Sequence, residues 1–286
     1  MKLSPRIRFL NFFRNFFRIR PVEDALVLLT TGRSPDSFFC KLAPNPYQYP
    51  KNTFRILKRN GIRIKLNIND YLGHFIYFGF YDASYHRMFQ LCKPGNIVVD
   101  VGMNIGWTTL NFAKLSGSGT IFGFEPDPKN YNDCKYNLAL NNFTNIIDFP
   151  LGLSDVNSQL TMEVREATNR AGNRISPSSQ GHKIDVVRLD EVGAIERVTH
   201  IDLIKIDVEG YELNVLKGAT GVLQRHHPVL FIELDDNNLK DQGHSAKELI
   251  EFLNNNGYKN IISAEDDHLV SPADNFGDCH FDIIAR

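Results

Sequence analysis

The sequence lacks several features that identify metal-binding, disulfide-rich, nucleic-acid-binding or membrane-spanning proteins. It has four cysteines in 286 residues and no C-x-x-C pair, so neither a zinc site nor a disulfide framework is indicated. Its formal net charge is only −1, which provides no overall field for nucleic acid. No apolar run approaches the ~20 residues of a transmembrane helix. These absences predict a protein of a reducing, cytoplasmic compartment with no nucleic-acid partner.

The first twenty residues depart from this charge balance, because they contain no acidic residue. Their basic residues are Lys2, Arg6, Arg8, Arg14, Arg18 and Arg20. Plotted at 100° per residue, the apolar side chains fall on one half of a helix and the polar ones on the other. This pattern is typical of helices that lie in a membrane interface, and it predicts peripheral membrane contact through residues 5–20. The alternatives are docking on the body of the same chain or on a second copy in a homo-oligomer.

Beyond residue 50 the pattern becomes that of an α/β protein. Asn60-Gly61, between two strand-like runs, predicts a β-hairpin. From Ile97 onward apolar strands alternate with helices, one of them over Glu212–Gln224, and this predicts a doubly wound parallel sheet. A polar stretch over 166–183 interrupts the alternation. We therefore predict an N-terminal extension over 1–50, a hairpin-and-helix segment over 51–92, and an α/β domain over 93–286.

A glycine loop follows the strongest strand. Gly102, Asn104 and Gly106 lie between that strand and a helix, and such loops bring backbone N–H groups close to a ligand. Asp100 ends the strand, and Glu125 ends the next strand about 20 residues beyond the loop, where an acid can accept both ribose hydroxyls. The arrangement suits a nicotinamide dinucleotide or S-adenosylmethionine. Since Asn104 replaces the middle glycine of the dinucleotide fingerprint, a smaller head group is favoured, with Asp100 near its ammonium.

A second polar cluster is predicted at the same edge of the sheet. Asp207 and Glu209 follow one apolar strand, and Glu233 and Asp235 end another, so all four belong at the carboxyl edge, where α/β proteins bind ligands. The alternative is that these acids cap the following helices, which is the favoured interpretation for Glu212. Carboxylates also suit Mg²⁺, but the spacing does not distinguish a metal site from caps, and metal dependence is left open.

Several motifs in this order resemble the FkbM-type methyltransferases, over roughly residues 53–262. They include Asp100-Val-Gly-Met-Asn-Ile-Gly106, Phe124-Glu125-Pro126, Ile204-Lys-Ile-Asp-Val-Glu-Gly210 and Pro228–Glu233. The resemblance implies the class I, Rossmann-like fold, whose seven-stranded sheet is mostly parallel with the last strand antiparallel. It implies S-adenosylmethionine as the cofactor, with Gly102, Asn104, Gly106 and Thr109 at the methionine end and Glu125 at the ribose. It also implies O-methylation of a sugar, glycan or polyketide.

Methyl transfer to a hydroxyl needs alignment and a base for the hydroxyl proton. Asp207, with Glu209 beside it, or a histidine such as His182 or His200 could take that proton. Acceptor recognition is expected from Tyr71–His86, whose aromatic rings either stack on a sugar or fill a core, and from the polar insertion Asn169–Ser179. The segment 51–92 is therefore expected to cap the acceptor side of a catalytic domain over 93–286.

The preferred hypothesis is an S-adenosylmethionine-dependent O-methyltransferase that acts on a hydroxyl of a sugar, glycan or secondary metabolite. Two alternatives stay open: a nicotinamide-dependent oxidoreductase, which must accommodate Asn104, and a membrane-recruited module that keeps the fold without turnover. An N-methyltransferase of nucleic acid is disfavoured, because Asp207-Val-Glu-Gly stands where such enzymes carry Asn/Asp-Pro-Pro-aromatic.

Overall fold

The structure is a computed structural model that describes residues 5–163, 174–175 and 181–286. These residues fall into two compact units, one with the described residues up to 82 and the other with those from 83 onward. In the part of the chain so described, no helix is both long enough and apolar enough to span a bilayer. The functional division into 1–50, 51–92 and 93–286 stays a prediction.

The first unit combines four helices with a β-hairpin. Its elements, in chain order, are α1 (Pro5–Arg14), α2 (Arg20–Thr30), α3 (Phe38–Leu42), β1 (Phe54–Arg59), β2 (Ile62–Asn67) and α4 (Tyr71–Phe78). β1 and β2 pair antiparallel with Arg59 opposite Ile62, and the two residues between them, Asn60 and Gly61, have φ of 50° and 77°. Positive φ at both positions is what the favoured two-residue hairpin turn requires. The predicted hairpin is confirmed.

The second unit contains the remaining helices and strands. Its helices are α5 (Ala83–Leu91), α6 (Trp107–Ser116), α7 (Pro128–Ala139), α8 (Gly193–Glu196), α9 (Glu212–Gly218), α10 (Thr220–His226), α11 (Asp236–Asp241) and α12 (Ala246–Asn255). Its strands are β3 (Val98–Val101), β4 (Ile121–Phe124), β5 (Ile146–Phe149), β6 (Gly152–Leu153), β7 (Ser158–Glu163), β8 (Arg174–Ile175), β9 (His182–Val187), β10 (Leu203–Ile206), β11 (Val229–Asp235), β12 (Ile261–Ser263) and β13 (His280–Ala285).

A seven-stranded sheet in the order β12-β13-β11-β10-β3-β4-β5 forms the centre of this unit. The strands from β11 to β5 pair parallel, and β13 pairs antiparallel with β11 and β12. Every residue of β3, β4 and β10 is buried, as expected for strands of a sheet covered on both faces. The predicted seven-stranded, mostly parallel α/β fold is confirmed.

The polar interruption of the alternation coincides with a second, smaller sheet. Its order is β6-β9-β7-β8, and β7 pairs antiparallel with β9 and β8. The apolar runs over 160–164 and 184–189 predict strands close to β7 and β9, but nothing in the sequence indicates that they form a sheet of their own. Most of the insertion Asn169–Ser179 lies outside the described residues, which include only Arg174 and Ile175 of it.

The single helix predicted over Glu212–Gln224 is wrong, because the structure has two helices there, α9 and α10, joined at Ala219. Gly218 is a weak helix former, and the carbonyl oxygen of Ser154 lies where its side chain would start, 1.8 Å from an added Cβ. The Asp190 carboxylate accepts hydrogen bonds from the backbone N–H groups of Gly221 and Val222 at 3.0 and 2.7 Å. A side chain distant in sequence thus caps a second helix start.

Candidate active site

The two central strands of the large sheet, β3 and β10, end side by side. They are parallel neighbours, and the chain winds away from them in opposite directions, through β4 and β5 on one side and β11 on the other. Such a switch of direction opens a crevice at the carboxyl ends of the strands, where α/β proteins bind ligands. The predicted glycine loop follows β3 and the predicted acidic pair follows β10, so the fold brings the two clusters to one crevice.

The glycine loop has a left-handed backbone at three of its five residues. Gly102, Asn104 and Gly106 have φ of 79°, 48° and 85°, and for Asn104 this conformation is uncommon. A Cβ at Gly102 would lie 2.1 Å from the carbonyl oxygen of Asp207, and one at Gly106 would lie 2.7 Å from the Cys134 Sγ. The two glycines therefore let the loop pack tightly against β10 and α7. Close approach of a ligand is therefore not the only reason for glycine at these two positions.

A buried ion cluster lies beneath this loop. Asp100 is fully buried and its Oδ2 accepts hydrogen bonds from the Thr108 and Thr109 hydroxyls at 2.7 and 2.6 Å. The Lys205 ammonium, also buried, lies 3.5 Å from Oδ1 of Asp100 and 3.5 Å from Oδ2 of Asp207. Asp100 and Thr109 thus brace the loop from inside the protein. Their direct contact with a cofactor stays a prediction.

Lys205 also binds the loop backbone. Its Nζ donates to the carbonyl oxygens of Gly102 at 2.8 Å and Val101 at 3.1 Å. Burial alone would lower the pKa of the ammonium, but the carboxylates of Asp207 and Asp100 outweigh it, and the pKa lies above its ordinary value. The charged lysine therefore joins the end of β3 to the end of β10.

Glu125 connects the next strand to the glycine loop. Its Oε2 accepts a hydrogen bond from the Asn104 backbone N–H and its Oε1 from that of Asp127, both at 2.9 Å. Each carboxylate oxygen can accept more than one hydrogen bond, so these contacts leave capacity for ribose hydroxyls. Burial raises the pKa of Glu125 to about 7. Glu125, the residue predicted to bind the ribose, therefore contacts the glycine loop directly.

Three of the predicted acids meet at the end of β10. Carboxylate oxygens of Asp207, Glu209 and Glu233 lie within 4.8 Å of one another. Burial, followed by the charges of Asp207 and Glu209, raises the pKa of Glu233. Asp235 is not part of this cluster. Its carboxylate caps α11 by accepting a hydrogen bond from the Asn238 N–H at 2.9 Å. The cluster can therefore hold a proton or offer three carboxylates to a bound group.

The loop that carries two of these acids is held by side chains around it. Glu209 has a φ of 55°, and its Oε2 accepts a hydrogen bond from the Asn238 amide at 3.1 Å. The buried Glu212 carboxylate accepts from the backbone N–H groups of Val208 and Gly210 at 3.2 and 3.0 Å. The sequence favoured Glu212 as a cap of the following helix, whereas these two hydrogen bonds fix the loop that precedes α9.

The same three carboxylates are the residues that could hold a divalent cation. Oxygen donors of this kind suit Mg²⁺ and Ca²⁺. The Lys205 ammonium already supplies one positive charge 3.5 Å from Asp207, so part of the negative charge of the cluster is balanced by the protein itself. Metal dependence stays open.

A family model described as the methyltransferase FkbM domain matches residues 100–259. The chain belongs to the FkbM methyltransferase family. The match covers the glycine loop, Glu125, Lys205 and the three carboxylates, so the whole crevice lies in the FkbM domain. This confirms the resemblance drawn from the motifs.

Several curated methyltransferases are similar to this chain over part of its length. The chain is 27% identical over 144 residues to methyltransferase 1 of Beauveria bassiana and 30% identical over 137 residues to the hexuronic acid methyltransferase AglP of Haloferax volcanii. These matches cover 43% and 48% of this chain, and they span 58% and 55% of the two relatives. It is also 24% identical to the 2-O-methyltransferase NoeI of Sinorhizobium fredii, over 56% of this chain and 72% of that one.

Among solved structures, the chain is similar to the methyltransferase FkbM of Methylobacillus flagellatus, with 18% identity and a TM-score of 0.44. That alignment covers 75% of this chain and 52% of the other. It is also similar to the S-adenosylmethionine-bound fibrillarin of Aeropyrum pernix, with 16% identity and a TM-score of 0.43 over 85% and 86% of the two chains.

The two candidate histidines, His182 and His200, lie away from the three carboxylates. His182 begins β9, and its Nε2 is 3.2 Å from Oδ2 of Asp127, which caps α7 beyond β4. The end of β4 is two strands from the end of β10, or about 10 Å at the usual strand spacing. His200 precedes β10, pairs with Asp202 at 3.3 Å, and so lies at the opposite edge of the sheet. A catalytic role for His182 stays a prediction.

Some of the residues proposed for acceptor recognition pack inside the protein, and others are exposed to solvent. Tyr77 is buried in the first unit and donates to Glu23 at 3.0 Å, whereas Tyr85 of the second unit packs edge-on against Trp107 with ring centroids 4.9 Å apart. Tyr77 is therefore a core residue, and Tyr85 is half-buried against the core. Tyr81 is 43% exposed. In the insertion, Arg174 pairs with Asp241.

Sequence reasoning missed Lys205, which the FkbM domain uses as its buried cation. The sequence contains a signal for Lys205, because it is the single polar residue in the otherwise apolar run Leu203-Ile-Lys-Ile206. Such a run predicts a strand buried on both faces, and a buried lysine requires a partner. Asn238 was also missed, and nothing in its local sequence distinguishes it from other surface residues of a helix.

Proposed function

We propose that this chain is an O-methyltransferase that uses S-adenosylmethionine and acts on a hydroxyl of a sugar, glycan or secondary metabolite. The observation that carries the proposal is the close contact between the glycine loop and the end of β10. A Cβ at Gly102 would lie 2.1 Å from the Asp207 carbonyl oxygen, so a ligand held by the loop lies beside the carboxylates. Relatives whose names specify a hexuronic acid and a 2-O-methyl group support a carbohydrate acceptor.

The cofactor fits the residues of the crevice. Gly102, Asn104 and Gly106 would hold its methionine end through the loop backbone, and the Glu125 carboxylate would accept hydrogen bonds from the ribose hydroxyls. When bound, S-adenosylmethionine supplies a methyl group on a sulfonium, and its transfer is an in-line displacement. The residues of the chain must then align the acceptor and remove its proton.

Asp207 is our choice for the base that takes the acceptor proton as the new O–C bond forms. Its side chain is 34% exposed, and its Oδ2 lies 3.5 Å from the buried Lys205 ammonium. Glu209 lies beside it, fixed by Asn238, and would orient the acceptor by accepting a hydrogen bond from a second hydroxyl. Burial and the neighbouring carboxylates raise the pKa of Glu233, which favours its neutral form and so lessens repulsion among the three acids.

The cofactor assignment is tested by calorimetry with S-adenosylhomocysteine and, in parallel, with NAD⁺. We expect S-adenosylhomocysteine to bind and NAD⁺ not to bind, and we expect Glu125→Ala to weaken binding by at least about tenfold, since two hydrogen bonds to a charged group are removed. Binding of NAD⁺ alone would favour the oxidoreductase, and binding of neither ligand would favour a module without turnover.

The catalytic assignment is tested by Asp207→Asn, which keeps the size of the side chain. We expect the rate of methyl transfer to a panel of uronic acids and simple glycosides to fall by about 10²–10⁴-fold, the usual contribution of a general base. Affinity for S-adenosylhomocysteine should stay within about threefold of wild type. Unchanged turnover in this variant would remove Asp207 from the role of base.

A further inference from the structure

The N-terminal helix α1 attaches to the first unit through its polar side chains. Asn11 is 9% exposed; its amide donates to the Tyr47 hydroxyl at 3.0 Å and its oxygen accepts from Asn45 at 3.1 Å. Gln48 donates to the Asn11 carbonyl at 3.1 Å and to the Asn15 side chain at 3.2 Å. The polar half of the helix is therefore bound to the protein itself.

Two arginines on the same half extend this contact. The Arg14 Nε donates to the carbonyl oxygen of Lys41 at 2.9 Å, and the Arg18 guanidinium lies 5.6 Å from the ring centroid of Tyr49. A helix that covers a globular core normally presents its apolar half to the protein. Here the orientation is the reverse.

The apolar half is left in solvent. We call it the N-terminal apolar face, and it consists of Phe9, Leu10, Phe12, Phe13, Phe16 and Ile19, which are 43–73% exposed. Its rings pack on one another, with centroids 4.9 Å apart for Phe9 and Phe13 and 5.6 Å apart for Phe12 and Phe13. Adjacent large apolar side chains exposed in this way mark an interaction surface rather than scattered surface residues.

We propose that the N-terminal apolar face binds the surface of a membrane that contains anionic lipid. The charge of the segment favours this occupant. Residues 1–20 hold six basic residues and no acidic one, in a chain whose net charge is −1, although Arg20 is paired with Glu23 and Asp24 of α2. Basic residues next to an apolar face are attracted to an anionic lipid surface. A symmetric contact with a second copy would instead bring two segments of like charge close together.

The anchoring of the polar half matters for this role. Asn11, Arg14 and Gln48 fix the helix on its own unit. Membrane binding therefore does not carry the entropic cost of ordering a free segment. Such rings insert at the boundary between head groups and acyl chains, about 5–10 Å deep. Binding would therefore hold the body of the first unit against the bilayer. This inference is independent of the proposed methyl transfer.

The test is co-sedimentation of the full chain with sucrose-loaded vesicles of phosphatidylcholine, with and without phosphatidylserine, at low and high salt. We expect sedimentation with the anionic vesicles that weakens at high salt. Changing Phe9, Phe12 and Phe16 together to serine should lower the partition coefficient by at least about tenfold. The matched control is Leu269→Ser in the second unit, which is as exposed as Phe12, at 73%, and should leave partition unchanged.

Thermal unfolding of each variant shows that the fold is kept, and Phe12→Ser alone replaces the triple variant if that one unfolds. Equal sedimentation of wild type and serine variants would overturn the proposal, as would the absence of binding to either vesicle. A dimer in light scattering that the triple variant dissociates, without vesicle binding, would assign the face to a second copy and would also overturn it.

Discussion

At the scale of single residues, the Lys205 ammonium balances two carboxylates at the centre of the second unit. Replacing it in Lys205→Met leaves buried Asp100 without its cation and removes the bonds to the Gly102 and Val101 carbonyls. Breaking a buried pair in this way costs about 3–5 kcal/mol, and we expect the free energy of unfolding in urea to fall by that amount.

The control for this prediction is Lys247→Met. Lys247 pairs with Glu251 at 3.9 Å on the surface, with 61% of its side chain exposed, and an exposed pair contributes at most about 1 kcal/mol. Restoration of most of the loss by adding Asp100→Asn to Lys205→Met would locate the effect in the unpaired carboxylate. Equal losses in Lys205→Met and Lys247→Met would contradict the role given to Lys205.

The Glu125 carboxyl makes the stability of the protein depend on pH. Its pKa is raised from 4.5 to about 7 in the folded state, so the folded protein binds the proton more tightly than the unfolded chain. This stabilisation is complete below pH 4.5 and is lost as the pH rises to 7, by up to about 3 kcal/mol. Urea unfolding at several pH values should show this decline, and Glu125→Gln should show a smaller one.

Glu212 provides the comparison for that experiment, because burial raises its pKa to about 7 as well. The Glu125→Gln variant should therefore keep the part of the decline that belongs to Glu212. Identical profiles for wild type and Glu125→Gln would mean that Glu125 titrates normally in the folded protein.

At the scale of elements, the loop between β3 and α6 depends on the absence of a side chain at Gly102. In Gly102→Ala the new Cβ would overlap the Asp207 carbonyl oxygen, 2.1 Å away, so β10 or the loop must move. We expect affinity for S-adenosylhomocysteine, measured by calorimetry, to fall at least about tenfold, because the displaced backbone also carries a left-handed φ.

Gly117→Ala separates the overlap from the backbone strain. Gly117 has a φ of 66°, and nothing lies within 4 Å of an added Cβ. This variant should be destabilised by about 1–3 kcal/mol through strain alone and should bind S-adenosylhomocysteine as wild type does. If both alanine variants bind equally well, the contact between the loop and Asp207 does not position the ligand.

At the scale of the whole molecule, a ligand that binds only the folded state raises its stability by mass action. At a hundredfold excess over the dissociation constant, S-adenosylhomocysteine should add about 2.7 kcal/mol, which corresponds to a few degrees in the melting temperature. We expect this shift in differential scanning fluorimetry for wild type and not for Glu125→Ala. The same shift with NAD⁺ would show that the loop does not discriminate between the two cofactors.

Local patterns in the sequence determined the main sheet and the two halves of the site. Apolar runs that alternate with helical periods specify β3, β4 and β10, because strands buried on both faces are nearly continuous in apolar residues. Asp100 and Lys205 are the charged residues of β3 and β10, and they pair with each other. Glycines at 102 and 106 and acids at 125, 207 and 209 fall just after strand ends, and parallel strands bring such ends to one edge. The main sheet and the candidate site could therefore be predicted from the residues of each strand and the few that follow it.

Contacts between residues distant in sequence were decided only by the tertiary structure. Lys205 lies at the junction of β3 and β10 because those strands are neighbours. The break between α9 and α10 depends on Asp190, some thirty residues earlier in the chain. The N-terminal helix shows the same limit, since its periodicity defines two faces but not which one the protein covers. Asn11 is bound by Tyr47 and Asn45, and partners at that distance leave no trace in a local pattern.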